Sequence, residues 1–374
     1  MTIVSAIVAG LFLFYPLGEA MQGDIAVQWM LVFSSLSLIF IPFSFFFSFR
    51  ALQKAAEYST FAVLTLFSKD KWVRFISLYL SVFALLTFFY VLGEKLLKSP
   101  FTLALWIVGA GSAIDCMLCF FKRLMRYLNP YQLLDLFAFK KIEGEVLLCQ
   151  AIDNVFDVAI KAIDSAQASL CHHALNSTLS LIKNYLQKKP SLENLSFILF
   201  YLYQRLEVIF ERSISAKMEM TSSAIINLTG KQTLDVSLYE MKASVLPLQF
   251  LGKFALAAQK AGFKEVQITT SCLYSEVAKS LIEREDIANL QIKDPFFALI
   301  NGLEILVKGI FQRDKSTDIA LLKQPFQELK SALLGGKVKE NADTAIILQS
   351  IERVLLEFEA LQRVMATRPQ IPKV

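Results

Sequence analysis

Histidine and cysteine are scarce in this chain of 374 residues, which has two of the first and five of the second. The histidines are adjacent, His172 and His173. Neighbouring side chains on a helix point about 100° apart, which suits shared metal ligation poorly, and Cys171 beside them does not mend the geometry. The cysteines (Cys116, Cys119, Cys149, Cys171 and Cys272) are odd in number and lack framework spacing. That argues against a disulfide scaffold and fits a reducing compartment for the larger part of the chain. Nucleotide and hydrolase signatures are missing too. Neither Gly-x-Gly-x-x-Gly nor Gly-x-Ser-x-Gly occurs, and Thr229-Gly230-Lys231-Gln232 lacks the first glycine and the Ser/Thr of a Walker loop. No catalytic residue, metal or cofactor is predicted, and the chain is not expected to be an enzyme. Charged residues make up 19%, with a net charge of +5. The bases are dispersed among acids except near the hydrophobic runs, so nucleic acid is not an expected partner. Strand-type alternation is nearly absent, and neither an internal repeat nor a low-complexity tract is evident.

What the chain has is apolar residue: 55% hydrophobic, 12% aromatic, mean hydropathy +0.49. Ordinary soluble domains do not carry this much. The excess is concentrated in residues 1–121, where apolar stretches at 2–18, 25–49, 75–92 and 101–121 are each able to cross about 30 Å of hydrocarbon as a helix. The first stretch lacks the basic leader and cleavage site of a secretory signal and is read as a retained span. Lys and Arg set the orientation. Loop 50–74 carries Arg50, Lys54, Lys69, Lys71 and Arg74; after the fourth span come Lys122, Arg123, Arg126, Lys140 and Lys141. The opposite side has only Lys95 and Lys98. Both termini are therefore expected in the cytoplasm, with the chain integral to the cytoplasmic (inner) membrane and the bilayer as its first partner. Segment 50–74 is too polar to span and reads as an interfacial helix or a basic loop on lipid headgroups.

Four features stand out inside the predicted spans. Asp115 is an acid in the fourth span, about 9 Å from its cytoplasmic end at helical rise. Gly109 and Ala113, flanking Ser112, form a small-xxx-small pair that lets helix backbones approach. Ser34 and Ser37 share a face of the second span, which Pro42 can kink. Cys116 and Cys119 make a Cys-x-x-Cys that reads as packing in an apolar helix. An acid, a serine stripe and a small-residue surface are compatible with a conduction path, but packing and hydrogen bonding between helices are the preferred reading of each.

Residues 122–366 read as a helical cytoplasmic domain, so the fold class is all-α, with a four-helix transmembrane region followed by that domain. Asn129-Pro130 resembles an N-cap and first helical turn. Helices are predicted at 143–164, with Leu147, Ile152, Val155, Ala159 and Ile163 on the apolar face, at 168–188 and at about 192–212. Gly230 and Gly262 are expected to end helices, and Asp294-Pro295 to start one. The last helix, about 342–366, places Ile347, Ile351, Val354, Phe358, Leu361 and Met365 in a heptad seam, suited either to oligomerisation or to capping its own domain. The tail 367–374 is expected to fray.

Two stretches resemble a large family of uncharacterised four-span bacterial inner-membrane proteins. Its members follow span two with Ala-Leu-Gln-x-Ala, then Ser-Pro-Arg, Val-Leu and Asn-Phe-x-Arg-Asp-Arg. Here the run is Ala51-Leu52-Gln53-Lys54-Ala55, Thr60-Phe61-Ala62, Val63-Leu64 and Leu66-Phe67-Ser68-Lys69-Asp70-Lys71, in register but without Ser-Pro-Arg. Asp157-Val158-Ala159-Ile160-Lys161-Ala162 is similar to the family's Asp-Ile-Ala-x-Arg-Ala, though the Asn-Asp-Pro that follows it there is missing. The resemblance covers residues 25–190 and implies the four-span topology. It carries no chemistry, because the family has none assigned. Two functions follow as expectations: an oligomeric channel or transporter-like protein gated by its cytoplasmic domain, or a membrane-anchored scaffold whose helices bind cytoplasmic protein partners.

Overall fold

The computed structural model describes residues 70–92, 100–139, 144–313, 319–335 and 337–366, together with Gln53. The predicted spans 2–18 and 25–49, most of segment 50–74 and the tail lie outside these residues. Among the described residues there is no strand. The chain forms two compact units that divide between Leu133 and Leu134.

The first unit is an antiparallel hairpin of α1 (Lys71–Leu92) and α2 (Pro100–Leu128). Stretches Lys71–Phe89 and Ala104–Leu128 are long and apolar enough to cross a membrane. Lys71 and Arg74, read as interfacial, occupy the first turn of α1, and α2 runs past the predicted end at residue 121. The seam consists of Val73, Ile76, Leu80, Ala113, Phe120 and Leu124. An aromatic ladder runs beside it, in which Phe75, Tyr79, Phe83 and Trp106 stack in sequence at 6.4–6.5 Å. A helix α3 (Pro130–Phe139) follows, its first turn capped as expected: the Asn129 side chain accepts the Tyr131 N–H at 3.1 Å.

The second unit is a two-layer stack of helices. One layer is α4 (Glu145–Asp164), α6 (Leu192–Ser215), α8 (Val245–Ala261), α10 (Lys293–Arg313) and α12 (Thr344–Ala366). The other is α5 (Ala168–Leu186), α7 (Glu219–Tyr239), α9 (Lys264–Ile282) and α11 (Ile319–Leu333). Each helix packs on the next of its own layer and, apart from the α5–α6 pair, on its chain neighbours in the other. Helices of the first layer begin roughly every fifty residues, the period and layering of an α-solenoid. Ion pairs and hydrogen bonds across the first layer repeat the same interval. Asp153 on α4 accepts from Tyr201 and Arg205 on α6, Arg212 on α6 donates to Asp164 on α4, and Lys308 on α10 donates to Glu357 on α12 at 2.8 Å. The separations in sequence are 48 to 52 positions, so helices within the layer run parallel. The repetition thus exists in three dimensions although no repeat is evident in the residues.

Local chemistry explains the breaks between helices. Ser191 caps α6 by accepting the Asn194 N–H. Gly262 ends α8 at φ +88°, and the following Phe263 N–H returns to the Ala258 carbonyl, a Schellman closure. Gly230 does not end a helix. It lies inside α7, where a Cβ would come within 2.7 Å of Leu273 Cδ2 from α9; the missing side chain makes room for a neighbour. On α4, Ile152, Val155, Ala159 and Ile163 are buried, whereas Leu147 is 47% exposed and Leu148 takes the inner position. In the last helix, Ile347, Ile351, Val354 and Phe358 are buried against their own unit, with Phe358 packing on Phe326 of α11 at 5.9 Å.

Candidate functional site

One end of the hairpin concentrates its polar chemistry. Asp70 precedes α1 as its N-cap: its carbonyl accepts the Arg74 N–H and its carboxylate accepts the Trp72 N–H at 2.9 Å. The same carboxylate receives the Arg123 guanidinium of α2 at 2.7 and 3.0 Å and the Tyr127 hydroxyl at 3.0 Å. Arg123 also lies over the Trp72 ring, 5.5 Å from its centroid. The Asp70 side chain is 10% exposed and that of Arg123 29%, so the pair is sheltered. Burial alone would raise the Asp70 pKa. The Trp72 N–H, the Tyr127 hydroxyl and Arg123 outweigh it and hold the carboxyl below the ordinary value.

This cluster is a clasp: a charge-assisted link from the entry of α1 to the exit of α2, on the end that also carries Lys71, Arg74, Lys122 and Arg126. Sequence reading picked out Asp70 within its motif but counted Arg123 only towards charge balance, and missed Trp72 and Tyr127. The available signal was an acid directly before an apolar run, facing an Arg at the far end of the next run.

Farther along the hairpin, Gly109 lets α1 approach. A Cβ there would be 2.8 Å from Phe83, and its carbonyl accepts the Tyr79 hydroxyl at 3.4 Å. Ala113 is buried in the seam. Asp115 and Ser112 are half-buried on α2. Cys116 is half-buried and Cys119 exposed, both free. Of the motif residues after the second predicted span, Asp70 and Lys71 are described at the clasp and Gln53 is exposed. Ala51, Leu52, Lys69, Ser34 and Ser37 lie outside the described residues.

Among the described residues each layer of the stack carries a cleft. The first, about 550 Å³, lies between α8 and α10, where Gly252 and Gly302 bring the backbones together beneath Gln249, Phe297, Asn301 and Ile305. The second, about 310 Å³, lies between α5 and α7 and includes His172 and Lys231. Cys171 next to it is fully buried, and burial pushes its thiol up to about 12, so it stays a protonated core residue. His173 instead meets Asp135 at 3.2 Å. Among the described residues no group of three or more His, Cys, Asp or Glu is placed to hold a metal. No protein-family model, no curated protein and no solved structure matches the chain.

Proposed function

We propose that the chain is a membrane-anchored docking platform: a four-span protein of the cytoplasmic (inner) membrane, both termini inside, whose stacked helices bind a cytoplasmic protein. The observation that carries this reading is the pairing of a lipid-compatible hairpin with a layered helical stack. Phe75, Leu78, Leu85, Leu86 and Phe89 point out of α1, and Phe101, Leu105 and Leu118 out of α2. A bilayer, or further helices in a bilayer, accommodates such a surface; water does not. Layered stacks offer long faces suited to partner binding, and this one has a cleft on each layer. The clustering of Lys and Arg at the clasp end supports the inward orientation. Membership of the four-span family remains part of this proposal and rests on Ala51–Ala55, Lys69–Lys71 and Asp157–Ala162.

The test is a photo-crosslinking scan of the full-length chain in the cells that make it, with a photoreactive side chain placed in turn along both layers. Adducts with a soluble protein are expected at a contiguous set of positions. Adducts at no position would remove the docking reading, and export of a reporter fused after residue 139 would overturn the topology.

A second reading, an oligomeric channel, is favoured by Asp115, an ionisable group on a helix able to cross a membrane. It predicts ion flux in proteoliposomes. Absence of flux for any small ion would dismiss it.

A further inference from the structure

The cleft on the second layer is the more informative of the two, because its two ends differ in charge. Helices α5, α7 and α9 run parallel there. Lys183 of α5 meets Asp235 of α7 at 3.3 Å, and Ser223 of α7 meets Thr269 of α9 at 3.4 Å. The Glu265 N–H of α9 donates to the Glu219 carboxylate of α7 at 3.0 Å, which sets Glu265 level with the start of α7. Lys231 lies twelve residues farther along α7, so the two lining charges stand about 18 Å apart along the helix axis. Both side chains are exposed, and among the described residues neither has an ion-pair partner. About one turn before the Lys231 end, Asn176 of α5 and Asn227 of α7 face the cleft from opposite walls, both exposed. His172 lines the same cleft, and its Nε2 is buried with no hydrogen-bond partner in the protein. The floor between these groups is apolar, formed in part by Leu175 and Leu228.

Each feature has a counterpart in one kind of ligand. A side-chain amide presents a donor and an acceptor side by side, matching the N–H and C=O of an extended backbone. An apolar floor takes alternate side chains, and a length of about 18 Å spans roughly five extended residues. An acid at one end and an ammonium at the other require the reverse charges on the occupant.

We propose that this groove binds an extended peptide segment of a partner protein, with a basic residue at the Glu265 end, an acidic residue at the Lys231 end and apolar residues between. The proposal rests on the docking-platform reading and names its site. Asn176 and Asn227 clamp the peptide backbone.

The same crosslinking scan tests it, with the photoreactive group at Leu179 and Ser223 on the groove and at Gln204 and Gln249 on the opposite layer. Adducts are expected at Leu179 and Ser223, and the linked partner peptide should carry a basic and an acidic residue about five positions apart. Exchanging the charges, Lys231→Glu with Glu265→Lys, should cut the adduct yield about tenfold, since two exposed ion pairs become two repulsions. Both positions are on the surface, so the fold should survive the exchange. Groove adducts insensitive to the exchange, or lacking that charge pattern, overturn the proposal. Adducts at Gln204 or Gln249 with none in the groove overturn it while leaving the docking platform standing; none anywhere removes both.

Discussion

In the hairpin, large apolar side chains such as Phe89 and Leu105, each 65% exposed, face outward, and the charged contact is gathered at a single end. In the stack, large aromatics such as Tyr203, Tyr274, Phe254 and Phe296 are fully buried, and ion pairs recur from one helix to the next along the surface. Both regions are helices packed side by side, and on the proposed reading they differ in their surroundings. With hydrocarbon outside, apolar burial would give the hairpin's helices little reason to associate, leaving side-chain packing along the seam, close backbone approach at Gly109 and the sheltered ion pair to hold them. Where water lies outside, burial of side chains supplies the association, and exposed ion pairs add little individually.

Substitutions that should act in one region and spare the other sharpen that comparison. The largest effect is expected from Gly302→Ala in the stack. The new Cβ would sit 2.0 Å from the hydroxyl of Tyr274, a fully buried ring bonded to the Leu248 carbonyl at 3.2 Å. Overpacking should cost about 2–3 kcal/mol, read as a lower denaturation midpoint of the stack, with protease resistance of the hairpin unchanged. Gly230→Ala should cost less, about 1 kcal/mol: its Cβ meets the buried Leu273 side chain, Cδ2 at 2.7 Å, which has to shift, and the gain in helix propensity offsets part of the strain.

In the hairpin, Arg123→Met should cost about 2 kcal/mol, because it leaves the Asp70 carboxylate sheltered without its cation. The double change Asp70→Asn with Arg123→Met should recover part of the loss; equal losses for single and double variants would mean the clasp carries no coupling. Its pH dependence has a definite sign. The folded pKa of Asp70 lies below the ordinary 3.8, so its stabilisation is complete above that value. It is lost as pH falls through the lowered folded value. The wild-type hairpin should therefore weaken below about pH 4, and Asp70→Asn should flatten that limb.

Asp115 tests the boundary between the regions' roles. If it bonds a neighbouring helix, Asp115→Asn should be silent and Asp115→Leu should loosen the hairpin by about 1 kcal/mol. If it lines a path, Asp115→Asn should alter conductance or its pH dependence while stability holds. The smallest effect is expected at Ala166, which follows α4 at φ +56°, a conformation that suits glycine. Ala166→Gly should raise the stability of the stack by about 0.5–1 kcal/mol, measured by chemical denaturation.

Much of the helix inventory could be read along the chain. Ser191, Gly262, Asn129 and the apolar periodicity of the last helix are local signals, and they fall where helices begin, end or pack. Gly230 misled because a glycine inside a helix is indistinguishable, in sequence, from one that ends it. Its meaning depends on Leu273, 43 positions away. The clasp was half visible for the same reason: Asp70 announces a cap, but only the closed hairpin brings Arg123 to it across 53 positions. The groove could not be seen at all, since Asn176, Asn227 and Glu265 are ordinary surface residues until three helices run parallel.

The sequence by itself determined that the chain is helical, that stretches of its first third are long and apolar enough to cross a membrane, and where many helices stop. These follow from backbone preference and from transfer of side chains out of water, both of which act locally. Tertiary structure decided that the later helices form two layers with a period near fifty residues, that one acid clasps one arginine, and which polar residues share a groove. The repeat is invisible in the residues because a stack needs only apolar inner faces and complementary charges at matching levels. Many different side chains satisfy both conditions.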